Sequence, residues 1–234
     1  MIAPRLHMTA PRLHMIAASR RCLTRLGGLL NATSGVAALE FALTLPIILT
    51  IFLSGAELTN FTITKLRVSQ IALHVADNGS RIGTASLLTS PQISETQIND
   101  LLVGANLQAG SLDLLGRGKV IVSSLEPDSA HSGKYMIRWQ RCYGNKVFPS
   151  SYGAQGANNF AAMGPAGRQV TAPTGSGVIY VEVSYNYKPL ISAQLVPTTV
   201  LHDVAAMTVR DDRDFAGNSG VGVYNAEHVT ASTC

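Results

Sequence analysis

SGVAALEFALTLPIILTIF, residues 34–52, is the stretch that decides how this chain folds. It opens an apolar run from Val36 to Ala56 whose only formal charge is Glu40. At about 1.5 Å per residue such a run makes a helix of roughly 31 Å, close to the ~30 Å hydrocarbon core of a bilayer. A carboxylate in lipid costs about 2.5–3.5 kcal/mol at a helix centre on insertion scales, so Glu40 at the mouth of the run needs a reason. Pro46 would cost about 3 kcal/mol inside a soluble helix, but membrane helices tolerate proline, usually with a kink. The segment predicts one membrane crossing.

Charge on either side orients that crossing. The chain carries a formal net charge of +4. Residues 1–35 hold Arg5, Arg12, Arg20, Arg21 and Arg25 and no acid, whereas the remainder has 13 Lys or Arg against 14 Asp or Glu. The excess is therefore confined to an arm of the kind that stays cytoplasmic under the positive-inside bias. A nucleic-acid surface would need a basic patch on the folded part, and none is expected. Of three cysteines, Cys22 lies in the arm, while Cys142 and Cys234 lie beyond the run and would share an oxidising compartment. Their pairing would tie the C-terminal tail to the sheet. The alternative is a free buried Cys142 with an incidental terminal cysteine. Within the arm, Ala3–Met8 recurs as Ala10–Met15, a tandem repeat too short for a repeat fold. It reads as a recent duplication, or as sequence upstream of a start at Met8 or Met15.

Three fates of the apolar run are open from the residues alone. It is an uncleaved signal anchor, or a signal cut after Ser54-Gly55-Ala56, or a helix freed by a cut between Gly35 and Val36.

The third fate is the one the chain's likeness supports. The string from Ser34 to Phe52 resembles the N-terminus of TadE-like pseudopilins of the tight-adherence (Flp, type IVb) pilus system. In that family an aspartic prepilin peptidase cuts after a glycine that precedes the apolar helix, and a glutamate at the fifth mature position is commonly followed by an aromatic. Here Gly35 stands before the cut, Val36 becomes the N-terminus, Glu40 takes the fifth position and Phe41 the aromatic one. Pro46 falls where many such chains also carry proline. The resemblance implies that Glu40 pairs with the new α-amino group, on its own chain or a neighbour's, and so sets helix register. Pairing would lower the penalty on both charges. It also implies partners: the membrane, the peptidase, and other pilin-like subunits with their assembly components. The phrases VEVSYNYKPL (181–190) and AMTVRDD (206–212) are similar to late strands of the same family.

The expected fold is α+β, an N-terminal membrane-spanning pilin-like helix followed by a periplasmic domain with a small antiparallel sheet. Residues 1–35 form a basic cytoplasmic leader, 36–56 the transmembrane helix, and 57–234 the extracytoplasmic domain. Helical pattern persists from Glu57 to about Ala76, with Leu58, Phe61, Val68, Ala72 and Val75 on one broad face and Asp77-Asn78-Gly79 as a stop. A second helix is predicted over Pro91–Val103 with Ser90 as N-cap. Period-two patterns predict strands at Lys119–Leu125, Lys134–Tyr143 and Val178–Tyr187, and a less regular one at Val200–Arg210. In Val178–Tyr187, Ile179, Val181, Val183, Tyr185 and Tyr187 share a face. Residues 144–177, rich in Gly and Pro, read as a flexible insertion or an interaction loop.

Nothing assembles into a catalytic motif. The six histidines are dispersed, without His-x-x-x-His or Cys-x-x-Cys spacing for zinc. His202-Asp203 lacks a nucleophile elbow, and Gly116-Arg117-Gly118-Lys119 lacks the rest of a phosphate loop. Asp211, Asp212 and Asp214 lack the closing glutamate of a calcium loop. The sequence predicts a non-enzyme with no cofactor, metal or small-molecule substrate.

Overall fold

The computed structural model describes residues 33–86, 89–196 and 199–234. The basic arm through residue 32, with Cys22 and the tandem repeat, lies outside the described residues. The chain divides into two compact units at Ser54/Gly55. Helix α1 runs from Thr33 to Gly79. Up to Leu53 its described side chains are exposed on every face, Leu39, Leu43, Ile51 and Phe52 all above 60 %. A helix that is apolar all round and exposed among the described residues fits an apolar solvent or a partner surface. Pro46 cannot donate to the carbonyl four residues back. Around it the hydroxyls of Thr44 and Thr50 donate to the carbonyls of Glu40 (2.9 Å) and Pro46 (2.7 Å).

In the second unit α1 becomes one-sided. Thr64, Val68, Ile71, Ala72, Val75 and Ala76 are buried, a three-and-four spacing that places them on one face. Leu58, expected on that face, is instead exposed, and Phe61 is half-buried, edge-on to Tyr187 at 5.1 Å. The predicted second helix starts later. Helix α2 spans Glu95–Ala109 with Ser94 as N-cap. The Ser94 Oγ accepts from the Gln97 amide (3.3 Å), and the Gln97 side chain accepts from the Ser94 amide (3.0 Å). This reciprocal box satisfies two donors, which Ser90-Pro91 could not do. Pro91 lies instead in strand β2 (Thr89–Ser94), which pairs antiparallel with β1 (Thr84–Ser86) and parallel with the two-residue β7 (Val223–Tyr224).

The main sheet is antiparallel. It comprises β3 (Gly118–Pro127), β4 (Tyr135–Tyr143), β5 (Val178–Asn186) and β6 (Val200–Thr208), in the order β4-β3-β5-β6. This is the α+β fold expected, a long apolar helix followed by a domain with a small antiparallel sheet. One sheet face, with Val120, Val122, Trp139, Ile179, Val181, Val183 and Tyr185, packs with the buried residues of α1 and α2. A bulge between the pairings Ser123↔Gln140 and Leu125↔Ile137 shifts register by one residue. That slip sends Ile137 and Trp139, which simple alternation would put together, to opposite faces.

The other face is covered too. Residues 144–177, read above as a flexible insertion or an interaction loop, form a folded layer over it. Met163 and Ala172 are buried there with Leu125, Ile137, Val178 and Tyr180, and Tyr152, Phe160 and Val170 pack around them. Phe160 exchanges backbone hydrogen bonds with Tyr135 (2.9 and 3.0 Å), and Met163 with Val170 (3.0 and 2.8 Å). The apolar residues here are spaced by loop geometry, so no helical or strand period betrays them. Gly144, at φ 111°, allows the chain to leave β4, since a Cβ there would lie 2.3 Å from the Gly118 carbonyl oxygen.

Candidate functional site

The residues predicted to matter for maturation sit in the first turns of α1. Gly35, Val36, Glu40 and Phe41 are consecutive-turn neighbours, all exposed. A side chain at Gly35 would meet none of the described residues within 4 Å. Among the described residues, packing does not require glycine at this helical position, where it costs about 1 kcal/mol relative to alanine. Val36 and Glu40 are four residues apart, so their side chains share a helix face. No ion pair among the described residues involves the Glu40 carboxylate.

Just past the apolar run lies a site the sequence reading missed. Glu57 is fully buried. Its carboxylate accepts the Tyr187 hydroxyl (2.6 Å) and the backbone amides of Leu190 (2.9 Å) and Ile191 (2.7 Å). Burial and the adjacent carboxylate push the Tyr187 phenol up to about 12, which keeps it protonated and donating. The Asn60 amide donates to the same phenol oxygen at 2.8 Å. One carboxylate thus fixes the start of this unit's helical segment to the turn that follows β5. In sequence Glu57 is merely the first polar residue after the run, and its partners are 130 to 134 residues away. Nothing local could have signalled them. Glu57→Ala is expected to release that turn: hydrogen exchange at the Leu190 and Ile191 amides should accelerate, while exchange in β3 and β5 should hold. Unchanged exchange at those two amides would contradict the assignment.

The tail is fastened at the opposite edge of the sheet. Cys142 and Cys234 form a disulfide. The Cys142 amide donates to the Ser232 carbonyl (2.7 Å), and the Asn99 side chain binds the Thr230 carbonyl (2.9 Å) and the Ser232 hydroxyl (2.7 Å). Beside this seam, Arg141 makes a buried two-pronged pair with Glu95, its Nε at 2.9 Å from Oε2 and its Nη2 on Oε1.

The remaining candidates resolve as structure. Ser184 Oγ lies 3.0 Å from His202 Nδ1 on an exposed cross-strand pair. Asp203 is the next residue along β6, on the opposite face, and accepts from the Val204 amide. Asp113 caps the turn Leu114–Arg117 by accepting from the Gly116 amide (3.1 Å), which accounts for Gly116-Arg117-Gly118 as the entry to β3. Asp214 accepts from the Ala216 and Gly217 amides and from the Tyr224 hydroxyl (2.6 Å), so its oxygens hold the loop that leads to β7. The Arg210 guanidinium reaches Asp77 near the end of α1 at 3.2 Å.

Comparison with known proteins adds one match. The family model for TadE-like protein matches residues 35–77. The match begins at Gly35 and ends near the C-terminus of α1, so the strand phrases 181–190 and 206–212 lie outside it. No curated protein matches the chain, and no solved structure does.

Proposed function

We propose that this chain is a minor pilin-like, TadE-like subunit of a tight-adherence pilus assembly or secretion system, matured by prepilin peptidase between Gly35 and Val36. The observation that carries the reading is the family match that starts at Gly35, with Glu40 five positions on. Two further facts support it. The helix that runs on from Gly35 is long, and its apolar N-terminal stretch is unburied among the described residues, which fits a single-pass anchor. At its head stands a glycine that none of the described residues requires for packing, which fits a residue read by a protease.

In this reading the basic arm is cytoplasmic, residues 36–56 cross the inner membrane, and residues 57–234 face the periplasm. The protein works by assembly and not by catalysis. The new α-amino group at Val36 and the Glu40 carboxylate pair within or between subunits, so that neither charge stands alone in the apolar layer. Its partners are the peptidase, other pilin-like subunits and the pilus machinery.

Gly35→Leu tests the cut and spares the described fold, because a side chain there meets none of the described residues within 4 Å. In cells that carry the peptidase the variant should keep the arm and run at full-length mass, while the parent protein is shortened. Equal shortening of both would count against the proposed site.

A further inference from the structure

We propose that the segment from Lys188 to Val196 rests on the lipid surface and gives this domain a second membrane contact beside its helix. The inference rests on the single-pass anchor reading. Chain connectivity places Glu57 one peptide bond beyond Ala56, where the apolar run ends. The Glu57 carboxylate in turn holds the Leu190 and Ile191 amides at 2.9 and 2.7 Å. The segment is therefore tied to the level at which the helix leaves the hydrocarbon.

Its composition fits that level. Leu190 is 65 % exposed, and Ile191 and Leu195 are about 40 % exposed. The Leu195 amide closes a turn on the Ser192 carbonyl (3.2 Å), so Leu195 follows the other two after one turn of chain. No acid occurs from Tyr187 to Val200, and Lys188 supplies the only charge. Apolar side chains presented to water by a pinned backbone mark a contact surface. A single lysine among them can lay its stem along acyl chains and keep its ammonium at the phosphates. Apolar side chains with basic rather than acidic flanks bind the headgroup boundary, more strongly when the lipids are anionic.

The test uses the full chain in vesicles of phosphatidylcholine and phosphatidylglycerol, with Cys22→Ser to remove the arm's thiol and the Cys142–Cys234 disulfide intact. Single cysteines replace Leu190, Val147 or Ile48 and carry an environment-sensitive fluorophore. Lipids with a nitroxide near the headgroup end of the acyl chain should quench the label at 190, and should leave the label at 147 bright, since Val147 is exposed elsewhere on the domain. Quenching at 48 by deeply placed nitroxides, with none at 190, would overturn the proposal while leaving the anchor standing. Absence of quenching at both 48 and 190 would overturn both. Efficient cross-linking of two Leu190→Cys chains, again without quenching at 190, would assign the surface to a second copy and also overturn it.

Discussion

Serine at both Cys142 and Cys234 is expected to lower the stability of the outer domain by about 4 kcal/mol, the largest single effect in the molecule. The bridge closes a sequence separation of 92 residues, and the chain-entropy account assigns a loop of that length somewhat more than 4 kcal/mol. The covalent link also protects the contacts around it. Beside the bridge the tail is held by one hydrogen bond at Cys142 and two at Asn99, each contributing about 1 kcal/mol net, which is too little to hold a chain end firmly. Denaturant unfolding of the detergent-extracted protein, followed by fluorescence of the buried Trp139, reads the change. The midpoint should fall in the double-serine variant and in the parent under reductant alike. Equal midpoints with and without the bridge would contradict the assignment.

Glu95→Gln is expected to cost about 3 kcal/mol. Removing one partner from a buried ion pair typically costs 3–5 kcal/mol because the other charge is left without compensation. Both side chains here are less than a tenth exposed. The lower end applies because Arg141 Nη1 keeps the Gln140 carbonyl (2.8 Å) and the Gln155 side chain (2.9 Å). Replacing both members by apolar residues, Glu95→Leu with Arg141→Met, should recover much of the loss, since no bare charge remains. Arg141 adjoins Cys142, so the ion-pair and disulfide variants should not add. Additive losses would mean that the two features act separately.

The sequence disclosed different parts of this protein to different degrees, for physical reasons. Strands β3 to β6 were legible because β-branched and aromatic residues alternate with others over many positions, most clearly from Ile179 to Tyr185, although both faces of the sheet are covered. The helix through Gly35–Gly79 was legible because membrane-length apolarity and a subsequent one-sided face are both long periodic signals. Helix α2 was misplaced at its start: two capping sequences compete there, and only the reciprocal Ser94–Gln97 bonds identify the one used. The cover over residues 144–177 was hidden, since loops bury side chains such as Met163 without a period. The bulge at β4 hid the separation of Ile137 from Trp139. Glu57 was invisible as a site because its partners follow from tertiary closure. Of the candidate maturation site, the spacing from Gly35 to Phe41 was legible in full. The fold adds only that none of the described residues around Gly35 needs a glycine there.

The central proposal is that the chain begins at Val36 once mature. The most direct measurement is the N-terminal residue of the membrane-extracted protein, read from cells with and without the prepilin peptidase. The account predicts Val36 with the peptidase present and an intact arm without it. A start at Glu57, an intact arm in both strains, or a start at Val36 that persists without the peptidase would contradict it.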